Sequence, residues 1–192
     1  MGGLLLRNPF LARAADLAWF FGGARLRHPE AWRRWAALGV PEADGAMLPW
    51  LAEVFAKLDV RQAGPWVQAW QRWECALAGV PAGGTLGEAE VAALFRRYRL
   101  QLHYFTQGCF LPPDAVLAAV DQLAAARLPV QVVQGLADDV CPPAATRLLA
   151  ARLPAEACRW VEGVGHDPFA PAMVAASMAA WAELSGEKAC GR

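Results

Sequence analysis

The sequence predicts an α/β fold in which a parallel sheet is interrupted by a long all-helical segment. Three observations carry this expectation. The last third of the chain alternates helix, strand, helix, strand and helix, the pattern that lays parallel strands between covering helices. The long stretch before it, residues 11–110, carries apolar residues at three- and four-residue spacing and no strand pattern. Residues 3–7, GLLLR, form a short apolar run that stops at Asn8-Pro9, so they read as a strand running into a loop. The expected organisation is a core strand and entry segment at 1–10, a helical segment at 11–110 and the rest of the sheet layer at 111–192.

Taken in order, the helical segment holds LARAADLAWFF, AWRRWAAL, MLPWLAEVFAKL, PWVQAWQRWECAL and EAEVAALFRRYRLQLHYF. Breakers such as GVPEADG and AGVPAGGTLGE separate them. Seven of the nine tryptophans lie here, all but Trp160 and Trp181. Next, PPDAVLAAVDQLAAARL reads as a helix with proline at its start and Asp114 as a first-turn charge. PVQVVQG is a β-branched run ending in Gly135, CPPAATRLLAARL a helix, EACRWVEG a strand, and APAMVAASMAAWAEL a last helix. Strands are expected only at about 3–7, 130–134 and 157–161. That is too few for an ordinary doubly wound domain, so the expectation is the C-terminal part of a sheet whose first strands are absent.

Composition narrows the function. The chain has 192 residues, enough for one core or a core with a helical appendage, and is 56% hydrophobic. Eighteen basic and eighteen acidic residues cancel, which gives no reason to expect nucleic acid or an anionic membrane as partner. The five cysteines, Cys75, Cys109, Cys141, Cys158 and Cys190, are odd in number and widely spaced, with no CxxC pair. They argue against a zinc site and a disulfide framework, and neither metal nor organic cofactor is expected. The opening MGGLLL is cut short by Arg7, Asn8 and Pro9, too soon for a signal-peptide core or a membrane span, so a cytoplasmic protein is expected. No feature sets an oligomeric state.

Two loops carry chemistry. In open α/β sheets, functional groups sit at the carboxyl ends of strands. After VQVV comes QGLADDVCPP, with Asp138 and Asp139; after CRWV comes GVGHDPF, with His166 just past a turn bracketed by Gly163 and Gly165. Adjacent parallel strands would bring an acid and an imidazole to one sheet edge, where the acid fixes the ring's tautomer and stabilises the imidazolium. Acid before histidine, with a nucleophile expected earlier, is the chain order of α/β hydrolases. The same residues admit plainer readings: Asp138 as a turn former or helix cap, His166 as a satisfied loop histidine. The residues alone do not choose between Asp138 and Asp139.

At this point a family resemblance can be stated. VVQGLADDVCPP resembles the acid loop of the proline iminopeptidases (prolyl aminopeptidases), serine peptidases of the α/β-hydrolase superfamily, written GRYDxVCP. GVGHDPF is similar to the family's AGHS loop, AWQRWE to its WxxWE helix, HYFTQGCFL to HYFxNxGFL, and LLLRNPFLARAADLAWFF to LxLRGIFLLRxxELxWFY. The resemblance runs from about Leu4 to Leu184. It implies the C-terminal part of an α/β-hydrolase sheet with an inserted helical cap, and a substrate that is a peptide with N-terminal proline. It assigns the triad acid to Asp138 and the general base to His166. It makes Glu74 one of the acids holding the substrate amine, a role that suits a carboxylate because a desolvated cation needs a partner. The family's second acid lies in RIENHYF; here the segment reads RLQLHYF, so Gln101 stands in its place, able to accept a hydrogen bond but carrying no charge. Phe10, Phe20 and Phe105 are implied as aromatic pocket residues, although aromatics at helical spacing are more often core.

The nucleophile is the expected gap. The only serines, Ser177 and Ser185, lie in or just after the last helix and off any glycine turn. No threonine or cysteine occupies a GxSxG-like elbow. The resemblance puts the family's GGSWG elbow and oxyanion loop before the point where this chain begins. The expectation is therefore a truncated prolyl aminopeptidase, inactive by itself. Two alternatives stand beside it: a non-catalytic hydrolase-like binding protein, and a related hydrolase of different acyl specificity.

Overall fold

The computed structural model describes residues 3–186. In chain order the elements are β1 (Leu4–Arg7), α1 (Ala14–Phe20), α2 (Pro29–Ala36), α3 (Met47–Lys57), α4 (Gly64–Ala78), α5 (Glu88–Thr106), α6 (Ala115–Ala125), β2 (Val130–Gly135), α7 (Pro143–Ala150), β3 (Cys158–Val161) and α8 (Pro171–Ser185). Short 3₁₀ turns occur at Gly23–Leu26, Gly108–Phe110 and Ala155–Ala157. The chain divides into two compact units, one formed by Met1–Leu11 with Pro113–Arg192 and the other by Ala12–Pro112.

The first unit is a three-stranded parallel sheet in the order β1-β2-β3. Leu4 pairs with Val130 and Arg7 with Val133; Val132 pairs with Cys158 and Gly135 with Val161. The period-two alternation of β2 explains both of its faces. Val130 and Val132 point one way, into a core with Leu11, Leu117 and Val120 of α6 and Ala145 and Leu149 of α7. Val133 points the other way, onto Val164, Met173 and Ala180, the last two from α8. Gln134 shares the first face but is buried, so its polar atoms must be paired. Its Nε2 donates to the carbonyls of Gly135 and Cys141, and its Oε1 accepts from Thr146.

The second unit is helical and built around Trp70. Buried positions recur at helical spacing: Met47, Leu51 and Phe55 on α3, Val67, Trp70, Trp73 and Leu77 on α4, and Phe95, Tyr98 and Leu102 on α5. Trp70 stacks on Tyr98 with ring centroids 4.3 Å apart and meets Trp35, Phe55 and Phe21 edge-on at 5.7–5.9 Å. Trp73 Nε1 donates to the Phe20 carbonyl at 3.0 Å, tying α4 to the end of α1.

Two helix starts differ from the sequence expectation. Helix α1 begins at Ala14, not at Leu11: Ala12 has φ +57°, off the helical path, and Leu11 is spent in the sheet core. Asp114 is the N-cap of α6, itself left-handed at φ +56°, and does not lie within the first turn; its side chain makes no cap hydrogen bond. Among the described residues no helix is long and apolar enough to cross a membrane.

Candidate active site

The carboxyl ends of β2 and β3 are locked to each other before any side chain is considered. Leu136 N–H donates to the Val161 carbonyl and Ala137 N–H to the Val164 carbonyl, both at 2.9 Å. Gly163 makes the turn after β3 with φ +68°, a backbone state that glycine adopts without a steric cost. Gly135 lets the β3 loop press against the end of β2: a Cβ there would lie 2.4 Å from the Val164 oxygen and 2.6 Å from the Gly165 oxygen.

On this frame Asp138 and His166 meet. Asp138 Oδ2 lies 2.8 Å from His166 Nδ1. Asp138 is fully buried, whereas the His166 side chain is 36% exposed. The other carboxylate oxygen, Oδ1, accepts the backbone N–H groups of Val140 at 2.9 Å and Cys141 at 2.8 Å. Asp138 thus forms the turn that leads into α7 and also faces the imidazole, so the two readings of its sequence position coexist. A carboxylate at Nδ1 holds the ring proton there and leaves Nε2 as the basic nitrogen. Asp139 is also buried, but Asp138 is the one that faces the ring.

The two serines do not complete this pair. Ser177 Oγ donates to the Met173 carbonyl at 2.7 Å and Ser185 Oγ to the Ala182 carbonyl at 3.2 Å, so each hydroxyl bonds back to its own helix. Among the described residues no group of three or more His, Cys, Asp and Glu side chains could hold a metal ion.

The other residues singled out from the sequence fall into two sets. Phe10 follows β1 in the sheet unit and is 39% exposed. Glu74, Gln101, Phe20 and Phe105 belong to the helical unit. Phe20 and Phe105 are half-buried and gather on Phe21, edge-on at 4.9 and 5.8 Å. Gln101 Oε1 is buried and accepts no hydrogen bond.

Glu74 is more constrained than its sequence context suggests. Arg97 ion-pairs with its Oε2, and the Tyr98 hydroxyl donates to the same oxygen at 2.9 Å. Burial pushes the Glu74 carboxyl above the usual glutamate range, with the Arg97 guanidinium pulling the other way. Burial, with the Glu74 charge next, raises the Tyr98 phenol well above its ordinary value, so Tyr98 stays a donor. Sequence reasoning missed Arg97, because the pairing joins two helices across 23 positions and no local spacing announces it. It also missed Asn8, whose residue type tolerates the left-handed backbone it adopts at φ +42° but whose hydrogen-bond partners lie far along the chain.

A parallel sheet carrying a buried acid and a histidine on adjacent strand ends is compatible with part of an α/β hydrolase. Comparison with known proteins is more specific. No family model matches the chain. Curated relatives do: a probable proline iminopeptidase of Leptolyngbya boryana is 30% identical over 146 residues, 73% of this chain and 44% of its own length. Proline iminopeptidases of Arabidopsis thaliana and Neisseria gonorrhoeae are 31% identical over 150 residues and 27% over 172, covering 73% and 88% of this chain. The chain is a homologue of the proline iminopeptidases along this shared stretch. It spans between 38% and 54% of the length of these relatives.

Proposed function

We propose that this chain is the acid–base and helical-cap part of a prolyl aminopeptidase, a serine hydrolase that releases N-terminal proline from peptides. The observation that carries the reading is the 2.8 Å approach of Asp138 Oδ2 to His166 Nδ1 at the carboxyl ends of neighbouring parallel strands. In this role Nε2 of His166 takes the proton of an attacking serine and then delivers it to the departing amine. Asp138 holds the ring and balances the transient imidazolium. Glu74, Gln101, Phe10, Phe20 and Phe105 are assigned to the substrate, as the family resemblance implies. The serine and its oxyanion donors are supplied by sequence outside these 192 residues, in keeping with relatives of which the matched stretch covers only 44% and 54%. The isolated chain does not turn over peptides.

The test is an assay with arylamides of proline and alanine and with a simple ester. The reading predicts no release by the pure 192-residue chain. It predicts proline-selective release once the chain is extended or complemented with a segment bearing a GxSxG elbow. Proline release by the chain alone, or no activity from any extended form encoded in frame upstream, would overturn it. A second reading, a non-catalytic hydrolase-like binding protein, is favoured by Glu74 being already engaged by Arg97 and Tyr98. A hydrolase of different acyl specificity is favoured by the uncharged Gln101. Alanine or ester turnover in place of proline turnover separates that case.

A further inference from the structure

Asn8, the first residue after β1, is 94% buried, with 6% of its surface exposed, and its backbone is left-handed at φ +42°. Its N–H continues the sheet ladder by donating to the Val133 carbonyl at 2.9 Å, a bond that any residue but proline could make. Its side chain does something the ladder does not require. Oδ1 accepts the Gly135 N–H at 2.9 Å, and Nδ2 donates to the Gly165 carbonyl at 3.4 Å. Gly135 lies three residues before Asp138, and Gly165 directly precedes His166. One planar amide therefore spans the roots of both loops, donor to one and acceptor to the other. Aspartate has no donor for Gly165, glycine has neither group, and β-branched residues resist the left-handed backbone.

We propose that Asn8 is a positioning residue that keeps the acid and histidine loops in register, so that Asp138 and His166 stay at hydrogen-bond distance. The proposal rests on reading that pair as the acid–base machinery. Two backbone bonds, Leu136 to Val161 and Ala137 to Val164, already join the loops, so the Asn8 bridge supplies the third tie, the one nearest His166. A hydrogen bond weakens steeply as its angle falls, so the 2.8 Å contact between Nδ1 and Oδ2 reports any rotation of one loop against the other.

The test follows the His166 imidazole by ¹H–¹⁵N correlation in the 192-residue chain. In the unaltered protein the Nδ1 proton is held and exchanges slowly. Asn8→Gly accepts the left-handed backbone and removes both side-chain bonds; it should speed exchange of that proton about tenfold, the scale of losing the one bond that adjoins His166, to the Gly165 carbonyl. Asn8→Asp keeps the acceptor for Gly135 but not the donor for Gly165, and should move the signal the same way while leaving the Gly135 amide protected. Leu149→Val, a core trim on the α7 side of β2, should lower the urea midpoint without moving the signal. Wild-type exchange in both Asn8 variants, alongside its loss in Asp138→Asn, overturns the Asn8 role while leaving the pair standing. An unchanged signal in Asp138→Asn overturns the pair and the Asn8 role together. Unfolding of both Asn8 variants would assign the residue to fold stability alone and also overturn the proposal.

Discussion

Gly135 and Val164 approach so closely that the first side-chain carbon of any other residue at 135 would overlap the Val164 carbonyl oxygen. The acid loop and the histidine loop share this contact, so backbone crowding and the geometry of the candidate site are one problem. Gly135→Ala is expected to cost about 1–3 kcal/mol, the usual penalty for overpacking a tight interior. Urea denaturation measures it, and the His166 signal should shift with it. A neutral effect would mean that the β3 loop yields easily.

Asp138→Asn is a subtler change than its burial suggests. The amide oxygen can still accept the Val140 and Cys141 N–H groups, so stability should fall by only about 1 kcal/mol. The amide nitrogen would instead present a donor to His166 Nδ1 and drive the ring to its other tautomer. On the proposed reading, kcat of an extended, active form should drop by about 10⁴-fold, the loss a serine protease shows when its triad acid becomes an amide. Retention of the Nδ1–H tautomer by NMR would contradict this.

Glu74 sets a pH dependence of stability with an unusual sign. Because burial raises its carboxyl above the unfolded value, the folded state binds that proton more tightly. Its contribution therefore favours folding below the ordinary glutamate range and declines as pH rises from that range through the raised value. Above that it is flat. Urea midpoints across the mildly acidic range should show this slope in the wild type and lose it in Glu74→Gln. Arg97→Met, which removes the counter-charge, should steepen it.

Trp70→Ala should remove most of the helical unit's stability. The indole is fully buried and contacts Tyr98, Trp35, Phe55 and Phe21, so truncation costs about 3–5 kcal/mol. Trp70→Phe keeps part of the stacking and should lose less. Far-ultraviolet circular dichroism during thermal unfolding reads both, and equal losses would show that the Tyr98 stack contributes little.

What the sequence disclosed and what it hid divide along physical lines. VQVV was readable as a strand because a β-branched run ending at a glycine has few other fates, and β2 has the double burial such a run implies. The long helices were readable because Trp70, Trp73 and Leu77 repeat at the period of a buried stripe. The start of α1 was not, since Leu11 fits helical spacing while serving the sheet core, and a single left-handed residue, Ala12, breaks the register. At the site, the loops bearing Asp138 and His166 stood out, but choosing between Asp138 and Asp139 needed either a resemblance or coordinates. The partners of Glu74 and the bridge from Asn8 were hidden because each joins residues far apart in the chain, and pairwise hydrogen bonds leave no periodic trace.

The pairing of Leu4 with Val130 has a consequence for how the chain is made. At ribosomal speeds of about 5–20 residues per second, β1 emerges roughly 6–25 s before the strand it must join. During that interval β1 is without its partner strand while the intervening helices mature through local contacts. Zippering of β1 onto β2 is then a late event, timed by the synthesis of the helices between them.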